Sequence, residues 1–161
     1  MNDTLTLTTP NDLEVVLTRV FNAPRGLVFD CWTKPELVRR WLLGPPGWEF
    51  AVCEIDLKIG GGYRYVWRAS DGAQMGMRGV FREIVYPDLL ADTQIFDEDW
   101  TGGETLGSIV FTELGAKTLA TSTVRYSSKD ARDAALRTGM TEGLAAGYAR
   151  LDACLAELTA N

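Results

Sequence analysis

Residues 129–158, KDARDAALRTGMTEGLAAGYARLDACLAEL, carry the longest helical pattern in the chain. At the helical period, Leu136, Met140, Leu144, Leu151, Leu155 and Leu158 fall on one apolar stripe. Gly139, Gly143 and Gly147 recur every fourth residue within it. A mid-helix glycine costs about 1 kcal/mol against alanine. Three cost about 3 kcal/mol out of a typical net stability of about 5–15 kcal/mol. Gly143 and Gly147 fall within the apolar stripe, so the side that should pack is missing side chains. Either another backbone approaches closely there, or space is left for something. Ser127 and Ser128, with Asp130 and Asp133 in the early turns, mark the helix start. Thr138-Gly139 interrupts the pattern, leaving one helix or two as alternatives.

Working outward from the helix, the preceding chain reads as strands separated by turn signals. Asp12–Phe21 alternates, with Leu13, Val15, Leu17 and Phe21 on one side and Glu14 and Thr18 on the other. Two short helices follow, one opening at Pro24 and one at Pro35, and Gly44-Pro45-Pro46-Gly47 stops the second. Six further strands are expected at 50–59, 63–69, 75–85, 89–96, 105–113 and 119–126. Asp71-Gly72 makes a hairpin turn between two of them. Seven strands, a helical pair after the first and a long helix at the end describe an α+β fold. Its antiparallel sheet is covered by helix on one face. No linker or repeat divides the 161 residues, so one domain is expected, with a core spanning about 13–158.

Composition excludes several functions. A net charge of −6 disfavours nucleic acid as a partner, because neutralising phosphates needs a basic face. The chain contains no histidine, which removes the commonest general base, the commonest metal ligand and every Ser-His or Cys-His nucleophile. Cys31, Cys53 and Cys154 match no zinc spacing and read as small buried hydrophobes. No run is long and apolar enough for a membrane span, and the Thr-rich start carries no targeting pattern, so a cytoplasmic location is expected. No metal and no cofactor are expected.

Strand parity supplies the candidate site. Tyr63, Tyr65 and Trp67 share a face, joined across the hairpin by Met77, Gly79 and Phe81. Phe96, Phe111 and the set Ala120, Ser122, Val124 and Tyr126 complete it. Such a face is either filled core or the wall of a small-molecule pocket. The candidate ligand-binding residues are Trp41, Trp48, Tyr65, Trp67, Met77, Phe81, Phe96, Phe111, Tyr126, Met140 and Leu144. Tyr65, Trp67 and Tyr126 also offer polar tips as anchors. Glu83 shares the parity of Phe81 and is the weak candidate for a catalytic carboxylate. On the opposite face Arg64, Arg68, Arg78 and Arg82 need carboxylates to interleave, and Glu54 and Asp56 have the matching parity. Otherwise that outer face is a candidate surface for a homodimer or a protein partner. Gly60-Gly61-Gly62 leads into a strand and reads as a turn, not a phosphate loop. Asp97-Glu98-Asp99-Trp100 reads as a solvated acidic loop, with a weak cation site as its alternative.

Several motifs together resemble the START-like (SRPBCC) superfamily. They are Ala23-Pro24-Arg25, Trp32-Thr33-Lys34-Pro35-Glu36-Leu37 with Trp41, Asp56-Leu57-Lys58 with Gly60-Gly61, Gly79 through Ile84, and Arg132-Asp133-Ala134 through Gly143. The branch is similar to bacterial relatives of the C-terminal domain of the activator of heat shock protein 90 ATPase. The resemblance implies a helix-grip fold, a curved seven-stranded antiparallel sheet wrapped around a long C-terminal helix, with a hydrophobic cavity between them. Binding of a small apolar or aromatic, lipid- or polyketide-like molecule is the function it implies first. Polyketide cyclase-like or hydrolase-like chemistry and a co-chaperone-like role stand as alternatives. No catalytic motif is shared across the superfamily, so none is carried over. Ala120 and Ser122 are smaller than the residues associated with that strand, which implies a wider pocket.

Overall fold

The computed structural model describes residues 4–43, 46–98 and 102–160. In chain order these form β1 (Thr6–Thr8), β2 (Glu14–Phe21), α1 (Arg25–Thr33), α2 (Pro35–Trp41), β3 (Trp48–Ile55), β4 (Gly62–Ala69), β5 (Gln74–Val85), β6 (Leu89–Phe96), β7 (Thr105–Leu114), β8 (Lys117–Arg125), α3 (Lys129–Leu136) and α4 (Met140–Leu158). The strands make one antiparallel sheet ordered β1-β2-β8-β7-β6-β5-β4-β3. It is a helix-grip sheet, curved around the C-terminal helix. It has one strand more than the seven expected, because Thr6–Thr8 pairs with Val16–Thr18 at the edge. A three-residue edge strand rich in threonine carries too little apolar alternation to be legible in sequence.

Thr138-Gly139 divides the C-terminal pattern into two helices. Gly139 has φ 79°, a left-handed conformation that an L side chain disfavours, and it serves as the N-cap of α4. Ser128 caps α3 by accepting from the Ala131 amide at 3.0 Å. The two glycines expected on the packed side of the helix part company, and only Gly147 meets a neighbouring backbone. Gly143 is exposed, with nothing within 4 Å of where a Cβ would stand. Gly147 is buried, but against α2, where a Cβ would lie 3.6 Å from the Trp41 carbonyl. Arg150 fixes the same crossing by donating to the carbonyls of Trp41 (3.1 Å) and Leu43 (2.9 Å) at the end of α2.

The core is divided. One cluster gathers Phe21, Val28, Phe29, Trp41, Phe50, Tyr63, Tyr65, Trp67, Phe81, Phe111 and Leu151 under α1, α2 and α4. A smaller one gathers Val15, Leu17, Tyr126 and Ala135 under α3 and the start of α4. On β2, Arg19 shares the inward side of Leu17 and Phe21 and is buried, bonded to Asp152 of α4 at 3.1 and 2.5 Å. Cys31, Cys53 and Cys154 are buried free thiols, as expected of small hydrophobes. Burial, with Cys154 alongside, pushes the Cys31 thiol up to about 12, away from thiolate reactivity. Among the described residues, no helix is long and apolar enough to cross a membrane.

Candidate functional site: a cavity between sheet and helices

The gap between the two core clusters is a cavity of about 420 Å³. Its walls take residues from both, with Trp41 and Tyr65 on one side and Leu17 and Tyr126 on the other. The volume lies within the roughly 300–1,000 Å³ usual for small-molecule sites. Of the residues proposed from sequence, Trp41, Tyr65, Trp67, Met77, Phe81, Phe96, Tyr126, Met140 and Leu144 line it. Strand parity places the β4 and β5 residues, and α4 supplies Met140 and Leu144 from successive turns.

Three proposed positions are corrected. Phe111 points to the concave side but is used up beneath α1, its ring 5.5 Å from Phe29 and 5.6 Å from Trp32. Trp48, at the start of β3, packs half-buried on the outer part of the core and does not reach the cavity. Glu83 is exposed, because the β5–β6 register shifts between Phe81 and Glu83. A bulge of one residue reverses the parity of everything beyond it, so the carboxylate inferred to face inward faces solvent.

The carboxylate that does face the cavity is Asp92 on β6, a residue the parity argument had not reached. The signal was present, since Leu90, Asp92 and Gln94 alternate into Phe96 and all four line the wall. Gln94 Nε2 donates to Asp92 Oδ1 at 3.3 Å. The Tyr63 hydroxyl, which donates to the Thr93 carbonyl at 2.9 Å, also lies against this carboxylate. On the next strand, opposite Asp92, stands Gly107, and a Cβ there would be 2.6 Å from Asp92 Oδ1. Burial pushes Asp92 up to about 6, against the opposing hydrogen bonds from Gln94 and Tyr63. Burial likewise raises Tyr63 and Tyr65 well above the ordinary phenol range.

The remaining polar groups are mostly engaged with the protein. Trp67 Nε1 donates to the Leu42 carbonyl at 2.9 Å, so this proposed anchor holds the end of α2 instead. Tyr126 Oη lies 3.8 Å from Met140 Sδ. Tyr148 of α4 and Ser122 of β8 both line the cavity and hydrogen-bond to each other. Burial pushes Tyr148 up to about 12, opposed by that bond and by Arg19. Ser122 borders the cavity, whereas Ala120 is packed opposite Phe111 and does not. Among the described residues, no three His, Cys, Asp or Glu side chains gather as metal ligands would.

Residues 22–156 match the family described as activator of Hsp90 ATPase homolog 1-like protein. The chain belongs to this family. A crystal structure from Rhodobacter sphaeroides is similar, with 28% identity over 96% of this chain and 99% of the other, at a TM-score of 0.91. Structures from Nitrosomonas europaea (22% identity, 95% and 100% covered, TM-score 0.82) and Mycobacterium smegmatis (23%, 94% and 97%, 0.81) share the fold. No curated protein matches the chain. The family's helix-grip domain is of the generic small-molecule-binding type.

On the outer sheet face of this family member, Arg64, Arg68 and Arg78 find carboxylates, though not the ones expected. Arg64 binds Asp97 through two bonds of 2.7 Å, with Arg78 at 3.4 Å from the same carboxylate. The Arg64 guanidinium holds Asp97 below the usual carboxylate range. Asp99 and Trp100 of the same acidic stretch lie outside the described residues.

Proposed function

We propose that this protein binds a small, largely apolar molecule in the cavity between sheet and helices. The observation that carries the reading is the divided core. Aromatic and methionine side chains that would close a core, such as Tyr65, Met77, Phe81 and Met140, instead border about 420 Å³. Leaving such a volume unfilled is costly, since cavities reduce stability in proportion to their size. Burying about 200 Å² of apolar ligand at roughly 25 cal/mol per Å² contributes about 5 kcal/mol before association costs, which corresponds to micromolar binding at best. The test is mass spectrometry of purified protein under native conditions, with Leu144→Trp as the filled-cavity control. Recovery of one compound class from wild type but not from the variant supports the reading. A wild-type protein that carries nothing and takes up no apolar probe overturns it.

One observation favours a second reading, in which the bound molecule is turned over by acid–base chemistry. Asp92 combines a place in the cavity wall with a value near 6, close to what a general acid or base needs at neutral pH. Activation of an Hsp90 ATPase, which the family description names for other proteins, would use a protein-docking surface instead. Loss of partner binding in Arg64→Glu with Arg78→Glu is its test.

A further inference from the structure

Among the described residues lining the cavity, Asp92 is the only Asp, Glu, Lys or Arg. It makes no ion pair with any described residue; its polar partners are the neutral Gln94 amide and Tyr63 hydroxyl. Arg19, the inward cation of β2, is engaged with Asp152. A carboxylate taken from water without a counter-charge is costly, and proteins ordinarily pair or neutralise it. Gly107 lets the Asp92 and Gln94 side chains lie close against β7, where a Cβ would stand 2.6 Å from Asp92 Oδ1 and closer still to Gln94 Nε2. The cross-strand partner of Asp92 is Phe81, whose ring lies 5.6 Å from that of Tyr63, so two aromatic residues neighbour the carboxylate.

We infer that the cavity takes an amphiphile whose head group is an organic ammonium, seated against Asp92 with its apolar body among the aromatic and methionine side chains. This deepens the small-molecule reading above and rests on it. An ammonium supplies the missing counter-charge, donates hydrogen bonds to the carboxylate and gains from the neighbouring rings. A carboxylate or phosphate head would be repelled by Asp92 and would find no cation in the lining. A neutral alcohol could donate one hydrogen bond to the carboxylate but would leave its charge unbalanced.

Asp92 is also the only group in the lining that changes charge in the mildly acidic range. The other titratable groups there are Tyr63 and Tyr65 of β4, Tyr126 after β8 and Tyr148 of α4, all raised by burial. The lining residues from α1, α2, β5, β7 and α3 contribute none.

The test is displacement of the neutral fluorophore N-phenyl-1-naphthylamine by three matched probes, decylamine, decan-1-ol and decanoate. Wild-type protein at about pH 7.5, where Asp92 is ionised, should bind decylamine about tenfold more tightly than decanol, and decanoate least. Asp92→Asn, close in shape to the original residue, should bind decylamine and decanol with equal affinity, so that the amine preference of wild type is lost. In wild type alone, the preference for the amine should fall as pH is lowered through about 6, so the test does not depend on the variant folding. Equal affinity for amine and alcohol, or tighter binding of decanoate, overturns the head-group inference while leaving the cavity reading standing. Failure of all three probes, and of the fluorophore itself, overturns both.

Discussion

Gly107 on β7 and Asp92 on β6 face one another across the sheet, and the carboxylate oxygen of Asp92 lies 2.6 Å from where a Gly107 Cβ would be. No side chain fits at 107 while Asp92 and Gln94 keep their positions. Gly107→Ala should therefore displace both and cost about 1–3 kcal/mol, the usual range for an added methyl in a packed site. Urea denaturation checks the cost. A change below about 0.5 kcal/mol, the level of an ordinary surface substitution, would mean the carboxylate is free to move aside.

Asp92 should make stability fall as pH rises from mildly acid to neutral. Its value is raised from 3.8 to about 6 on folding. The folded state therefore holds the proton more tightly than the unfolded chain, and the benefit of the neutral acid is lost as pH climbs through about 6. The stability of Asp92→Asn relative to wild type should therefore rise by roughly 1–3 kcal/mol between about pH 4 and neutral pH. Thermal or urea unfolding of both proteins across that range tests the sign.

The two glycines of α4 should respond in opposite ways to a leucine. Gly143 is exposed and unobstructed, so Gly143→Leu should stabilise by up to about 1 kcal/mol and leave ligand binding intact. Gly147 abuts Trp41, where alanine makes ordinary contact but leucine overruns the ring, at a cost of about 1–3 kcal/mol. Melting curves of the pair distinguish the positions. Equal behaviour would contradict the close crossing of α2 and α4.

The Arg19–Asp152 pair should matter more than its exposed counterpart. Arg19 is buried while Asp152 is partly exposed, so Asp152→Ala leaves a shielded guanidinium with the Val20 carbonyl as its remaining partner. The loss should be about 1–3 kcal/mol, less than for a wholly buried pair because water still reaches the aspartate side. Glu157→Ala, which breaks the surface contact with Arg40, should cost about 0–1 kcal/mol. Chemical denaturation of the two variants side by side checks the order, and an equal loss in both would contradict it.

By itself the sequence determined the α+β fold, six strands and two helices after the first long strand, and most of the cavity's apolar wall. It did so because alternation and helical periodicity are local, and side chains at every second strand position must share a face. Tyr65, Trp67, Met77 and Phe81 reach the cavity for that reason. The same rule, carried back from Phe96, was sufficient to find Asp92. Only the tertiary structure decided which inward residues border space and which are packed away. Phe111 obeys the parity but lies beneath α1, and Glu83 violates it because the β5–β6 register shifts. Gly143 and Gly147 share a helical stripe, yet one meets solvent and the other meets α2. Periodicity fixes which residues share a face. What that face meets depends on long-range crossing and register, which no local pattern of residues carries.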